Sequence, residues 1–470
     1  MRPDLAIRLD RAARVPLANQ IHGAIAAAIR EGRLEPGARL PSWRDLAARL
    51  GVARGTVRVA YERLVDDQLA AAAGPAGTHV APRLPASPPP EAPDAPPLPD
   101  MHHAFSAVPL AFQMGVPAQD AFPFKLWSRL MARSAREEAA GPVAYPDPRG
   151  WPALRREIAA ALAIGRGLAC TPAQVIVTGG YSGALGLVVQ ALGLPGARAW
   201  MEEPGYPLTR TALHLAGVTP VPVPVDGEGL DVARGVALAP GAALAVVTPG
   251  QQAPLGVTLS PARRAALLAW AERSGAWIIE DDYLSELQLR GRPAPALAAL
   301  DRAGRVLHAG SFSKTISPAL RLGFLVVPPG LAARVGEAAA CLAPAPSAAV
   351  QRAVAAFLAE GHALRHLRRA KRLYAARRDA LAAALRGAFA GAAEVEATAG
   401  LSVLLRLPPG TPDRAVARAA LPLGMAPVPL SAWYADAPRP GLLLGVANLS
   451  VERLPEACGR LADLVRRFPA

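Results

Sequence analysis

Lys314 is the residue whose type and setting most clearly suggest chemistry. The sequence carries 51 Lys and Arg residues, and only three of them are lysines: Lys125, Lys314 and Lys371. Arginine keeps its proton in proteins and cannot act as an amine nucleophile, so a lysine retained in an arginine-rich chain is notable. Lys314 lies in the sequence SFSKTISPALR, with hydroxyls at Ser311 and Ser313 and a guanidinium at Arg321. An amine beside phosphate-binding groups predicts a site for an aldehyde cofactor that carries a phosphate.

A second polar group, Glu280, Asp281, Asp282 and Tyr283, follows the apolar run 276–279. Three acids at the end of an apolar strand are unfavourable unless they have partners. A carboxylate there can keep a pyridine nitrogen protonated, which makes the ring an electron sink, and a tyrosine hydroxyl can hydrogen-bond the ring's phenolic oxygen. A metal site is the competing interpretation. It is disfavoured because no histidine or fourth ligand accompanies the acids, and we expect no metal.

Two further segments could contribute to the same site, although neither is specific alone. The sequence VIVTGGYSGALGL around Gly180 predicts a strand that runs through glycines into a helix, whose free amides would bind phosphate. Tyr206, in EEPGY, could lie on the face of a cofactor ring or be an ordinary core or turn tyrosine. All four segments lie at the C-terminal ends of predicted parallel strands, where open α/β sheets place ligands. Their joint occurrence predicts one site.

The elements that must position these residues are predicted to form a mostly parallel sheet. From about Phe105 onward, short apolar runs alternate with longer helical patterns, and the runs include residues 174–178, 242–248, 276–280 and 323–327. Near-continuous apolar strands separated by helices are typical of a parallel sheet that is covered by helices on both faces.

The N-terminal residues have a different pattern, and the chain is too long for one ordinary domain. Proline takes half of the positions from Pro82 to Pro99, as in a semi-rigid extended linker. We therefore predict an N-terminal domain at residues 1–80, a linker at 81–103 and an α/β domain at 104–470, with a large subdomain at about 140–340 and a small one at about 341–470.

Two short helices in the N-terminal domain are predicted to meet at Gly51. Ser42 is a suitable N-cap for the first, and the second runs from about Arg54 to Leu64 with its apolar residues on one face. Two helices joined at a glycine, the second showing arginines, form a helix-turn-helix. Taken alone, the arginines could equally be a solvated helix face. The residues that we expect to contact DNA are Ser42, Arg44, Arg54, Thr56 and Arg58.

Residues 14–80 resemble the winged helix-turn-helix of GntR-type bacterial regulators. The matching pieces include IREGRLEPGARLPS at 29–42, LAARLGVARGTV at 46–57 and AYERL at 60–64. The resemblance implies binding to double-stranded DNA, with residues 69–80 as the β-hairpin wing. Two departures stand out. Trp43 replaces a small polar residue, and Ala73 replaces the basic residue that usually precedes the wing, whose sequence is PAGT instead of GSGT.

From about residue 105 to its end, the chain resembles fold-type I pyridoxal phosphate enzymes of the aspartate aminotransferase-like group. The sequences YPDPRG at 145–150 and TPGQQAPLG at 248–256 add to the four segments above. Together with the GntR-type part, the whole chain is similar to the MocR family of transcriptional regulators. The resemblance implies a winged helix-turn-helix, then an α/β fold-type I aminotransferase-like domain with a mostly parallel sheet and a smaller C-terminal α+β subdomain.

The same resemblance implies a cofactor, an assembly and residue roles. The cofactor is pyridoxal 5'-phosphate, and the assembly is a domain-swapped, head-to-tail homodimer. Lys314 carries the internal aldimine, a Schiff base, while Asp281 faces the pyridine nitrogen, Tyr283 the phenolic oxygen and Tyr206 the ring face. The phosphate cup is formed by Gly180, Tyr181, Ser182, Ser311, Ser313 and Arg321.

Three positions depart from the aminotransferase-like pattern. Ala253 replaces an aromatic residue before a proline turn, and Ser182 stands where glutamine is usual. Leu443 occupies the place in the C-terminal strand where amino-acid-binding members have an arginine for the substrate carboxylate; Arg439 is near in sequence but lies in a proline-flanked loop. An apolar residue there removes a charge-assisted bond, which weakens the case for a plain α-amino acid as the ligand.

Composition is consistent with these inferences but does not carry them. The net charge of +14 is compatible with nucleic acid binding, although a genome rich in Ala, Arg, Gly and Pro codons explains it as well. The 52% hydrophobic content excludes a mostly disordered chain. We see no membrane span and no apolar secretory core at the start, and three widely spaced cysteines fit a reducing compartment. We therefore expect a cytoplasmic bacterial protein, associated with the nucleoid when bound to DNA.

The strongly basic segment 365–378 is predicted to be a helix. Leu367 and Tyr374 would face one side and most of its arginines the other. We expect a solvated face of the small subdomain, and favour it over a dedicated nucleic-acid site.

Three functions remain open at this level. We favour a transcription regulator that senses a small amine, an amino-acid-like compound or a B6 vitamer through the internal aldimine, without physiological turnover. The alternative is a catalytically active aminotransferase with an accessory DNA-binding domain. A cofactor-free DNA-binding protein, whose second domain serves only for dimerisation, is the third.

Overall fold

A computed structural model describes residues 7–84, 108–397 and 400–469 of the chain. The chain divides into two compact units, Met1–Pro99 and Asp100–Ala470. Most of the proposed linker at 81–103 falls outside the described residues.

The N-terminal unit consists of three helices and a two-stranded hairpin. Its elements are α1 (Leu17–Arg30), α2 (Trp43–Leu50), α3 (Arg54–Asp66), β1 (Ala70–Ala72) and β2 (Thr78–Val80). Ile21, Ile25 and Ile29 of α1 are buried in one core with Val57 and Leu64 of α3, as their helical spacing requires.

The turn between α2 and α3 is explained by local chemistry. The Ser42 hydroxyl accepts a hydrogen bond from the Asp45 amide at 3.1 Å and so caps α2. Gly51 ends α2 with a φ of 60°, a left-handed conformation that favours glycine. The predicted helix-turn-helix and its N-cap are therefore confirmed.

The C-terminal unit alternates helices and strands. Its helices are α4 (Phe124–Ala139), α5 (Pro152–Arg166), α6 (Tyr181–Ala191), α7 (Pro207–Leu215), α8 (Val232–Leu238), α9 (Pro261–Ser274), α10 (Leu297–Leu300), α11 (Ala332–Leu342), α12 (Ala348–Ala359), α13 (His362–Phe389), α14 (Asp413–Ala420) and α15 (Leu454–Arg466). Its strands are β3 (Val175–Thr178), β4 (Arg198–Glu203), β5 (Thr219–Asp226), β6 (Gly229–Leu230), β7 (Leu244–Val247), β8 (Trp277–Asp282), β9 (Val306–Ser311), β10 (Gly323–Val326), β11 (Glu394–Ala397), β12 (Ser402–Arg406), β13 (Val428–Pro429) and β14 (Gly441–Gly445).

Eight strands form one mostly parallel sheet in the order β3-β10-β9-β8-β7-β4-β5-β6. The pairs β5–β4, β4–β7, β7–β8 and β8–β9 are parallel, whereas β10 runs antiparallel to both β3 and β9. A strand parallel to β9 would need a crossover connection of about a dozen residues or more, usually a helix. Segment 312–322, which joins β9 to β10, contains no α-helix, so β10 runs antiparallel. The apolar pattern of 323–327 did not distinguish this strand from its parallel neighbours.

Both faces of the large sheet are covered. Ile279 of β8 and Leu307 of β9 are buried in a core with α6 and α11, while Ile278 and Val306 are buried in a second core with α9. This alternation along buried strands agrees with the predicted α/β fold.

A smaller antiparallel sheet, in the order β11-β12-β14-β13, lies near the C-terminus. It packs against α13 and α15. The expectation of a solvated face on α13 holds for Arg365, Arg368, Arg369 and Arg372. It is wrong for Arg377 and Arg378, which are buried. Arg377 donates to the Ala447 carbonyl at 2.7 Å and pairs with Asp120, which compensates the burial of its charge.

No helix among the described residues is long and apolar enough to cross a membrane. Cys170, Cys341 and Cys458 are free thiols.

Candidate functional site

The carboxyl ends of the parallel strands bring polar residues to one edge of the large sheet. Glu202 and Asp281 are the second-last residues of β4 and β8, Thr248 follows β7 and Ser311 ends β9. The turn Gly179–Gly180 after β3 lies beside them. A Cβ placed on Gly323, at the start of β10, would be only 2.9 Å from the Cα of Gly180. The sheet thus gathers the four predicted segments into one cleft.

Lys314 is partly buried in this cleft. Its Nζ donates to the carbonyl of Gly115 at 2.6 Å. Burial lowers the pKa of the Lys314 amine to about 8, although the nearby Asp281 carboxylate opposes the change. A lowered pKa increases the fraction of neutral, nucleophilic amine near neutral pH.

Asp281 is the counterpart of Lys314, buried with 8% of its surface exposed. Burial raises the pKa of its carboxyl well above the usual range, and the carboxylates of Asp282 and Glu202 raise it further, whereas Lys314 and His308 act in the opposite sense. A carboxyl with these surroundings will ionise readily only when a cation faces it.

Three tyrosines surround Asp281. Burial raises the pKa of each phenol, and the Asp281 charge is the second cause in each case, with the pKa of Tyr206 raised to about 12. The Tyr181 hydroxyl is 3.0 Å from the Thr209 hydroxyl, and the Tyr206 ring centroid is 5.6 Å from that of Trp433. Tyr181, Tyr206 and Tyr283 therefore line the cleft around one carboxyl group.

The other end of the cleft suits an anion. Helix α6 begins at Tyr181 without a side-chain cap, so its first amides remain open to a ligand, and Ser182 is exposed beside them. The Arg321 guanidinium donates to the Gly179 carbonyl at 3.4 Å, at the same turn. The Ser311 and Ser313 hydroxyls are 3.0 Å apart. The open amides of α6, the two serine hydroxyls and the Arg321 guanidinium remain the candidates for holding the predicted phosphate group.

The other two acids of β8, Glu280 and Asp282, have partners on the opposite face of the sheet from Asp281. The Glu280 carboxylate accepts from the Leu297 and Ala298 amides and lies 3.0 Å from His308 Nδ1, while Arg166 Nε donates to Asp282 at 2.7 Å. Burial opposes both charges of the Glu280–His308 pair, but their mutual attraction lowers the pKa of Glu280 and raises that of His308. This network fixes β8 and with it Asp281. Among the described residues, no group of three or more His, Cys, Asp or Glu is arranged to hold a metal ion.

Two residues of the cleft were missed by sequence reasoning. Gly115 has a φ of 83°, and a Cβ there would lie 3.1 Å from Lys314 Nζ. Glu202 was noticed only as a neighbour of Tyr206, yet it is buried, it accepts from the Thr248 amide and hydroxyl, and burial raises its pKa to about 7. Glycine alone gives no signal of such a contact. The apolar run before Glu202 could have revealed its burial.

Leu443 forms part of an apolar wall beside the cleft. It is fully buried, it is paired with Leu404 and Val428 across the small sheet, and it packs in one cluster with Trp433. Tyr283 is packed against the same cluster. Arg439 is exposed and lies outside the strand.

The predicted DNA-contacting residues lie on the N-terminal unit. Arg44, Arg54 and Arg58 are exposed, and Thr56 is partly exposed. The Arg44 guanidinium lies 5.0 Å from the Trp43 ring centroid. Ser42 is engaged in capping α2 but remains exposed.

Comparison with known proteins defines the class. Residues 17–80 match the family "Bacterial regulatory proteins, gntR family", and residues 119–461 match "Aminotransferase class I and II". The chain is 28% identical to an archaeal alanine:glyoxylate aminotransferase, with a TM-score of 0.71 over 77% of this chain and 92% of that one. It is also 28% identical to the α-aminoadipate aminotransferase LysN of Thermus thermophilus, solved with N-(5'-phosphopyridoxyl)-L-leucine (TM-score 0.68, 76% of this chain, 92% of that one).

Relatives along the whole chain narrow the class further. The probable rhizopine catabolism regulatory protein MocR of Rhizobium meliloti is 37% identical over 96% of this chain and 94% of its own length. The pyridoxine biosynthesis regulator PdxR of Corynebacterium glutamicum is 36% identical over 81% of each chain. The chain belongs to the MocR family, GntR-type DNA-binding transcription regulators that carry an aminotransferase-like domain.

Proposed function

We propose that this regulator binds pyridoxal 5'-phosphate in the sheet-edge cleft and uses it to sense a small amine, an amino-acid-like compound or a B6 vitamer. The observation that carries the proposal is that one cleft holds both Lys314, whose pKa is lowered, and Asp281, whose pKa is raised. An aldehyde cofactor needs the Lys314 amine to form a covalent bond. A protonated pyridine nitrogen supplies the cation that stabilises the ionised form of Asp281.

The residues of the cleft fit this cofactor. Lys314 would hold it covalently, Asp281 would face the pyridine nitrogen, Tyr283 the phenolic oxygen and Tyr206 the ring face. The phosphate would be held by Gly180, Tyr181, Ser182, Ser311, Ser313 and Arg321. When bound, the cofactor supplies an electrophilic carbon that amines can attack. The apolar cluster of Leu443 and Trp433, against which Tyr283 packs, would border the bound cofactor.

The wall bears on the ligand class. A buried Leu443 offers no charge-assisted bond to a carboxylate, so amines without an α-carboxylate and the vitamer itself are the preferred candidates. The name of PdxR, a relative at 36% identity, supports including a vitamer.

A spectral titration tests the sensing function. Purified protein with added pyridoxal 5'-phosphate is expected to absorb at about 420 nm, and an effector amine is expected to change both this band and the affinity for operator DNA. Protein that shows no such band, even with excess cofactor, would refute the sensing half of the proposal.

Transamination is the second candidate, favoured by the likeness to solved aminotransferases at 28% identity. Multiple turnovers with any amino acid, abolished by Lys314→Ala, would establish it. A single half-turnover that stops would favour sensing.

We further propose that the protein works as a homodimer in the bacterial cytoplasm, where its DNA is. The contacts with DNA would come from Ser42, Arg44, Arg54, Thr56 and Arg58.

Val143 and Tyr145 of the C-terminal unit are fully exposed, which leaves apolar surface for a second copy. The head-to-tail, domain-swapped arrangement is part of this proposal. Light scattering gives the mass, and cross-linking between the two units tests the arrangement.

A further inference from the structure

The wing of the DNA-binding unit lacks charge of its own. Residues 70–80, which form both strands and the turn between them, read AAAAGPAGTHV and contain no Lys, Arg, Asp or Glu. Contacts to DNA phosphates usually come from Arg, Lys, polar side chains or amides. By its sequence, this wing would contribute little to binding.

A short segment before α2 forms a β-bridge with the wing. Segment 37–40 pairs with β2, since the Gly37 amide donates to the Val80 carbonyl at 3.0 Å, the Val80 amide to the Ala38 carbonyl at 2.8 Å and the Leu40 amide to the Thr78 carbonyl at 2.9 Å. Arg39 lies directly opposite His79 in this pairing. A residue from before α2 therefore enters the wing.

Arg39 lies on the outer face of the wing, at the β-bridge with His79. Directly opposed residues of an antiparallel pair share a face, and the neighbours Leu40 and Val80 are buried on the other side. The Arg39 side chain extends to the turn, where its Nε would be 3.4 Å and its Nη2 3.5 Å from a Cβ placed on Gly77. The glycine leaves room for the guanidinium to lie against the turn.

The cation of Arg39 is available. It is exposed and has no ion-pair partner within the described parts of the chain. Arg33, a few residues earlier, is also exposed but its guanidinium lies 2.7 Å from Glu31. The two arginines differ in pairing and in position.

We propose that Arg39 supplies the wing's contact with DNA. Its guanidinium takes the place of the basic residue missing at Ala73 and binds a backbone phosphate beside the groove read by α3. This inference rests on the DNA-binding function of the family. It is separate from the proposed cofactor site.

The test compares Arg39→Gln with Arg33→Gln in the full-length protein. Each is titrated by fluorescence anisotropy against a labelled mixed-sequence duplex of about 40 base pairs at about 50 and about 200 mM KCl. Arg39→Gln is expected to weaken binding about fivefold to tenfold and to reduce the slope of log affinity against log salt by about 0.9, the value for one lost phosphate contact. Arg33→Gln is expected to stay within about twofold of wild type.

Two results would overturn the proposal. One is an unchanged salt slope for Arg39→Gln. The other is an equal loss for both variants, which would mean that net charge alone matters. Thermal unfolding of both variants checks that the fold is intact. If the wild-type protein does not bind the duplex at all, the DNA-binding function itself is refuted, and not only the role of Arg39.

Discussion

The two units of this protein place their ionisable groups in opposite environments. In the N-terminal unit the arginines of α3 are exposed to water, and one of them, Arg58, has only a 3.5 Å pairing with Glu62. In the cleft of the C-terminal unit, Asp281 is buried and Lys314 is partly buried, and burial is the main cause of both pKa changes.

The difference shows how one chain carries out two kinds of recognition. Several exposed cations attract the DNA polyanion together, so the loss of one cation lowers the DNA affinity only in part. This attraction also weakens as the salt concentration rises. The protonation of a buried group depends on the group that faces it, so the buried groups of the cleft favour one kind of ligand. Substitutions should therefore separate the two units cleanly.

The largest effect is expected for Lys314→Ala. Without the amine no covalent bond to an aldehyde can form, so the band at about 420 nm should be lost completely. Affinity for DNA in the absence of cofactor should stay within about twofold of wild type. The exposed Lys125→Ala is the matched control and should retain the band.

Arg54→Ala should have the converse effect. Loss of an arginine that reads a base edge costs about 1–3 kcal/mol, which is about a 5- to 150-fold loss of operator affinity in anisotropy titrations. The cofactor band should be unchanged. A variant that loses the band and DNA affinity together would show that the two units are not separable as proposed.

The rate of cofactor capture should depend on pH. Because the pKa of Lys314 is about 8, the neutral amine increases about tenfold from pH 6 to pH 7 and levels off above pH 8. Stopped-flow absorbance with fixed pyridoxal 5'-phosphate measures this profile. An ordinary lysine would give a rate that still rises to pH 10, and that result would contradict the lowered pKa.

Asp281→Asn should have the smallest effect and the least intuitive one. Since the folded pKa of Asp281 is raised, the folded state binds more protons than the unfolded state at intermediate pH, and stability falls as pH rises above about 4. The cofactor-free variant should therefore melt a few degrees above wild type at pH 8, with the gap closing towards pH 4. Cofactor affinity should fall.

The control for this experiment is Glu272→Gln, which changes an exposed carboxylate of α9 in the same unit. Equal gains for both variants at pH 8 would mean that general charge reduction, and not burial at Asp281, sets the stability.

Several features of the fold followed from sequence for identifiable reasons. The N-cap at Ser42 and the turn at Gly51 depend on neighbouring residues, and the strands at Val175, Leu244 and Trp277 depend on buried apolar runs. The direction of β10 did not follow, because an apolar run is the same in either direction. The burial of Arg377 did not follow either, because Asp120 and the Ala447 carbonyl are distant in sequence.

The sequence by itself determined the kinds of groups available: a lysine in an arginine-rich chain, three acids at the end of a strand, and arginines on a short helix after a glycine turn. These are local, and local chemistry is written in consecutive residues. The tertiary structure decided what each group faces. It buried Asp281 and partly buried Lys314, placed the Lys314 amine at the Gly115 carbonyl, buried Leu443 beside Trp433 and placed Arg39 against the turn of the wing. Burial and long-range pairing arise only when distant segments pack together.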